Sequence, residues 1–164
     1  MSNQGIRGFY QITQIIKDQL LEDININTVT TGDISDVNLN KQDIFPLAHI
    51  IVNNVTVGEQ ILQFDISVLA MDMVSRSKEQ TKELYKGDNN VQNILNTQLG
   101  VLNKLIQVLR RGELYTGGST LSPNDPYQLN GDPSLEPFFD RFENELAGWT
   151  ASLNITIYND ITIC

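Results

Sequence analysis

Between Gln60 and Val74 the chain alternates with a period of two: Leu62, Phe64, Ile66 and Val68 point one way, while Gln63, Asp65 and Ser67 point the other. That period belongs to an antiparallel β-strand with one buried and one wet face. A second alternation follows near the end, where Trp149, Ala151, Leu153, Ile155 and Ile157 interleave with Thr150, Ser152, Asn154 and Thr156. Phe138 to Glu143 precedes it, so the pattern predicts a closing hairpin that turns near Asn144 and Glu145 and sends Trp149 and its i+2 partners into the core.

Two other stretches carry the helical period instead. Phe9, Ile12, Ile16 and Leu20 recur within Ile6 to Leu21, which predicts an amphipathic helix. Val91, Leu95, Leu99, Leu102, Ile106 and Leu109 predict a longer one. Asp88 or Asn89 is placed to cap it, with Gln92 three residues after Asn89, and Arg110, Arg111 and Gly112 suit its negative end. Ile24 and Ile26 alternate with Asn25 and Asn27 and predict a short strand; Leu47 to Val52 predicts a central buried strand that closes at Asn53 and Asn54.

The rest reads as connection. Thr30 to Asp43 is polar, Ser75 to Gly87 is densely charged, and Thr116 to Pro137 holds Gly117, Gly118, Pro123, Pro126, Gly131, Pro133 and Pro137, a density of turn formers that excludes regular structure. Long loops of this kind usually serve as contact surfaces. A length of 164 residues suits one domain. The expected fold is therefore α+β, a mainly antiparallel sheet with two principal helices on one face, and residues 30–43, 75–87 and 116–137 as extended assembly arms.

Few residues offer chemistry. The sole histidine, His49, lies in an apolar strand beside Ile50 and Ile51, where packing or an interface outweighs catalysis, since a general base needs an orienting partner. Asp33, Asp36 and Asp43, or Glu143 and Glu145, could hold a hard cation, but solvated loops explain them better. The run Asp125 to Asp132 lacks the alternating acids and distal glutamate of a calcium loop, and Gly117 to Thr120 lacks the lysine and following helix of a phosphate loop. Asn54-Val55-Thr56 and Asn154-Ile155-Thr156 match the glycosylation pattern without a secretory signal before them. Cys164 is the only cysteine, so neither an intrachain disulfide nor a cysteine metal site is expected. No catalytic, cofactor-binding or metal-binding residue is assigned, and no cofactor is expected.

A formal charge of -9 opposes tight binding to phosphate backbones, yet suits a surface past which DNA slides without adsorbing. The amino terminus lacks a secretory pattern and no apolar run approaches a membrane span, so synthesis in the cytosol and no membrane partner are expected. Polar strand positions such as Asn53, Asn54, Gln63 and Ser67 suit a subunit interface more than a dry core.

In element order the chain resembles the lambda-like bacteriophage tail terminator family, which opens with an amphipathic helix and a variable loop before a strand of the Asp-Phe-Pro-apolar type. Here that strand is Asp43-Ile44-Phe45-Pro46-Leu47-Ala48-His49-Ile50, followed by the alternating strand Ile61 to Val74, a charged connection, a helix, and the tryptophan-led strand Gly148 to Ile157. Glu145 to Ala151 also resembles neck and tail proteins of phages that infect Bacteroidetes. The likeness covers roughly residues 6–160, and the chain departs from it in the length of 116–137 and in extra residues between Gly32 and Lys41. It implies a non-enzymatic virion protein: a six-fold or twelve-fold homo-oligomeric ring in the head-tail neck or at the tail end. Such a ring joins portal or connector to tail and leaves a channel for DNA. A monomeric adaptor that binds a peptide along an open sheet edge, or a small metal-dependent hydrolase using loop carboxylates, are the alternative expectations.

Overall fold

In the computed structural model, residues 4–38, 42–75, 90–111, 127–141 and 145–159 are described. Helix α1 (Gln4–Leu21) leads to strand β1 (Thr28–Thr31) and to two 3-10 turns, Ile34–Asp36 and Gln42–Ile44. Strands β2 (Leu47–Val57) and β3 (Ile61–Met73) form a hairpin, followed by helix α2 (Val91–Arg110) and strands β4 (Tyr127–Leu129), β5 (Ser134–Arg141) and β6 (Leu146–Tyr158). The strands make one six-stranded sheet in the order β1-β2-β3-β6-β4, with β5 also on β6. All pairs are antiparallel except β1 with β2. This is the expected α+β fold, built around the two alternating runs, which lie side by side over 13 residues each.

The inward sides of those runs share one face, because opposed residues in a sheet point the same way. Phe64, Ile66, Val68 and Ala70 of β3 meet Ala151, Leu153, Ile155 and Ile157 of β6 in a core completed by Ile12, Ile16 and Leu20 of α1 and Val101, Leu102, Leu105, Ile106 and Leu109 of α2. Trp149 packs against the same core half-buried, and its indole N–H donates to the Leu95 carbonyl of α2 at 2.8 Å. The opposite face carries a smaller cluster, Leu47, Leu69, Met71, Phe138 and Leu146, over which Ile34, Val37, Ile44 and Phe45 fold. Ile34 and Val37 belong to the expected 30–43 loop, which is thus seated on the sheet where it is described, and Thr30 and Thr31 belong to β1.

Several local expectations are corrected. Ile24 and Ile26 form a turn, not a strand: the Asp23 carboxylate accepts from the Asn25 backbone N–H at 2.9 Å and the Ile26 N–H returns to the Asp23 carbonyl. That local bonding captures the backbone before it can pair, and pairing begins with Asn27 and Thr28, whose N–H groups donate to the Pro46 carbonyl. Strand β2 does not close at Asn53 and Asn54; a register shift there carries it on to Val57. On α2 the buried face is Ile94, Gln98, Val101, Leu102, Leu105, Ile106 and Leu109, while Leu99 is exposed. The steps from Val91 to Leu95 to Leu99 drift around a 3.6-residue helix, and the true ladder was hidden by a polar member, Gln98.

Asn90 precedes α2 without capping it; its carboxamide oxygen accepts from the Ser75 N–H at 2.6 Å instead. Asp88 and Asn89 lie outside the described residues, as do 76–87 of the charged connection and 116–126 of the long loop. The remainder of that loop is not irregular: Tyr127 to Leu129 and Ser134 to Pro137 are strand, and Tyr127 is fully buried. Proline is tolerated there because the strand lies at the sheet edge.

Candidate assembly interface

The sheet has two outer borders. On one, β1 covers only the first part of β2, pairing Thr28 to Thr31 with Leu47 to Ile50. Beyond Ile50, no described strand lies beside β2 as far as Val57. Its inner side stays paired with β3 to the hairpin turn, where the Gly58 N–H donates to the Ile61 carbonyl at 2.9 Å. Val55, Val57 and Ile61 at this tip are 40%, 73% and 36% exposed. An uncharged, β-branched strand whose outer backbone groups meet no described strand is a template for another strand.

The side chains on the helix-free side of this half of the sheet are polar and linked. Asn53 donates to the Ser67 hydroxyl at 2.8 Å, Asn154 donates to Asp65 at 2.7 Å, and Asn130 donates to the side-chain oxygens of Asn154 at 2.7 Å and Thr156 at 2.5 Å. Asn53, Asn54, Gln63 and Ser67, singled out for their polarity, thus lie together around the hairpin. The network fixes amides across β3, β6 and the β4 end, which holds the hairpin rigid enough to present its border.

Where β1 ends, His49 ties the border down. Its Nε2 lies 2.9 Å from the Gly32 carbonyl, which can only accept, so Nε2 carries the proton. Nδ1 then accepts from the Thr30 hydroxyl at 2.7 Å. Burial holds the imidazole below its ordinary pKa, only partly offset by the Gly32 carbonyl and the nearby Asp33 charge. His49 is a structural clasp between β1 and β2, in keeping with the packing role its surroundings suggested.

The other residues considered for chemistry are dispersed. Asp33 caps the first 3-10 turn, accepting from the Ser35 N–H at 2.9 Å, a bond that lowers its pKa. The Asp43 carbonyl accepts from Asn27. Glu145 holds a left-handed turn before β6 with φ 50°, and Asp132 pairs with Arg110 at 2.9 Å on the surface. Asn54 and Asn154 both sit within strands. Glu143, Gly117 to Thr120 and Cys164 lie outside the described residues.

Among the described residues no group of three or more His, Cys, Asp or Glu side chains is placed to hold a metal ion, and no helix is long and apolar enough to cross a membrane. A shallow cleft of about 540 Å³ lies between the end of α1 and α2, lined by Glu22, Asp23, Asn25, Asn96 and Lys104. Its buried carboxylate, Asp23, is already engaged by Asn25. The uncovered half of β2 is the feature that sequence reasoning missed; its signal was the apolar, uncharged continuation Val55-Thr56-Val57 past the two asparagines. No family model matches this chain, and no curated protein matches it.

Proposed function

We propose that this protein is a structural assembly subunit that joins copies of itself into an oligomeric ring in the head-tail neck or at the tail end of a bacteriophage. The observation that supports self-assembly is the border of β2 that no described strand covers, with valines 55 and 57 exposed on a hairpin that internal bonds hold in place; the ring form rests on the resemblance alone. Unpaired strand borders are either blunted or used, and this one is not blunted.

The phage setting rests on the order of elements and on Asp43 to Ile50 and Gly148 to Ile157, which resemble tail terminators. The formal charge of -9 fits a channel wall along which DNA passes without sequence-specific binding. In that setting neighbouring portal, connector and tail proteins are the partners, and the protein acts without cofactor or catalytic centre.

Mass measurement and negative-stain microscopy of the purified chain test the proposal. Rings of six or twelve chains that associate with connector or tail components are expected. A persistent monomer at high concentration, indifferent to those components, contradicts it. The same border favours a second reading, an adaptor that adds an extended peptide to β2; strict monomers that bind such a peptide would select it.

A further inference from the structure

From the geometry of β2 we infer that its uncovered border pairs with the same border of a second copy of this chain, antiparallel and about a dyad between Asn53 and Asn54. The inference goes beyond the ring reading. A dyad joins only two chains, so within a ring held by other surfaces it would link one ring to another.

The first support is the direction of the backbone groups. The Ile50 carbonyl accepts from the Gly32 N–H and so faces outward. Alternation then turns Val52 outward as well. From the other end, the Gly58 N–H faces β3, which turns Val57 and Val55 outward. The register shift between Val52 and Asn54 brings the two counts into agreement.

The second support is side-chain direction. Val52 stands opposite Ile66 and Val55 opposite Phe64, so both lie on the helix face. Ile51 opposite Ser67, Asn54 opposite Asp65 and Thr56 opposite Gln63 lie on the other face, and Asn53 joins them by bonding Ser67. Paired residues must share a face. With the dyad between Asn53 and Asn54, Val52 meets Val55 of the second copy, Ile51 meets Thr56 and Asn53 meets Asn54, and every pair does share one. A shift by one residue either way sets Val52 against Asn54 or Thr56, on opposite faces.

The third support is space and charge. Ile50 is already taken by Thr31, so a pairing strand can begin only at Ile51, and symmetry then ends it at Thr56. Val52 and Val55 of each copy would exchange both backbone hydrogen bonds with Val55 and Val52 of the other. Ile51 to Val57 contains no charged residue in a chain of charge -9, so two copies meet here without opposing carboxylates along the strand.

The test uses the full chain with Cys164→Ser. Oxidation of the double variant Ile51→Cys with Thr56→Cys should give covalent dimers, because those positions oppose each other across the dyad, whereas each single variant should cross-link poorly. In the natural sequence Val55→Pro should weaken self-association by about tenfold or more, since it removes an outward N–H. Folding should survive, because that N–H serves no bond to β3; circular dichroism checks this. Assembled protein whose paired cysteines stay reduced, single variants that cross-link as well as the double, or unchanged association of folded Val55→Pro would overturn the contact and leave the ring standing. Cross-linked dimers with nothing larger would support the contact and contradict the ring, and strict monomers would contradict both.

Discussion

The two borders of the sheet differ in chemistry although both are made of one chain. On the far side, β4 and β5 behave as a single edge strand with an interruption. From Leu129 to Ser134 the edge advances five positions while β6, from Ile155 to Ser152, advances three. The two extra residues bulge at Gly131, whose φ of 65° suits glycine. The Asn154 carbonyl faces this edge and accepts from the Asn130 N–H; alternation then points Glu136 inward and Pro137 outward. A proline at an outward position, a charge beside it and a bulge are the usual ways to blunt an edge. At β2 the corresponding outward positions are valines, with neither charge nor proline from Ile51 to Val57. The contrast teaches that protection is specified residue by residue: among the described residues the β4-β5 border is blunted and the far half of β2 is not.

The largest expected effect falls on the blunted side. A Cβ at Gly148 would meet the Ala70 carbonyl and come within 2.8 Å of the Met71 Cα, both backbone atoms of β3 that have nowhere to move. Gly148→Ala should cost about 4 kcal/mol or more in denaturant unfolding, through loss of the β3-β6-β5 packing. Trp149→Ala should cost about 3 kcal/mol, the low end for a large aromatic because the ring is half-buried, and should loosen α2 from β6. A loss under about 1 kcal/mol would mean that the indole contributes little to holding that side together.

The β2 side is sharpened by its clasp. Thr30→Val strands the His49 Nδ1 without a donor and should cost about 1–2 kcal/mol. It should also free more of β2, so self-association should rise, seen by sedimentation. Because the folded pKa of His49 lies below its ordinary value, folding favours the neutral ring. The stability this gives is fully present above about pH 6.5 and is lost as pH falls through the lowered folded value. Unfolding measured against pH should show that decline, and His49→Gln should flatten it. The smallest change in stability, within about 0.5 kcal/mol, is expected for Pro137→Thr. Its effect should be a new tendency to associate through the β5 edge, detected by light scattering.

The long elements were legible because their periods are strong. Leu62 to Val68 and Trp149 to Ile157 announced the two central strands, and Phe9, Ile12, Ile16 and Leu20 announced α1, although Phe9 lies exposed at its end of the stripe. The misplaced elements failed where local bonding competed with pattern. Ile24 and Ile26 mimic a strand that an aspartate turn prevents, and Asn53 and Asn54 look like an end but form an irregularity inside β2. Tyr127 to Leu129 is too short to show a period and is a strand only because β6 lies beside it. For the same reason the bare border of β2 was barely legible: whether a strand is covered depends on partners distant in sequence. Its signs in the sequence were the polarity of Asn53, Asn54, Gln63 and Ser67 and the uncharged continuation Val55-Thr56-Val57.

Residue-resolved amide hydrogen exchange at several protein concentrations tests the central claim most directly. The N–H groups of Val52, Val55 and Val57 all point out of the sheet, and only the first two fall within the paired window. At high concentration Val52 and Val55 should be protected while Val57 exchanges quickly, and dilution should erase the difference. If Val52 and Val55 exchange as fast as Val57 at every concentration, the border of β2 is not where two copies meet.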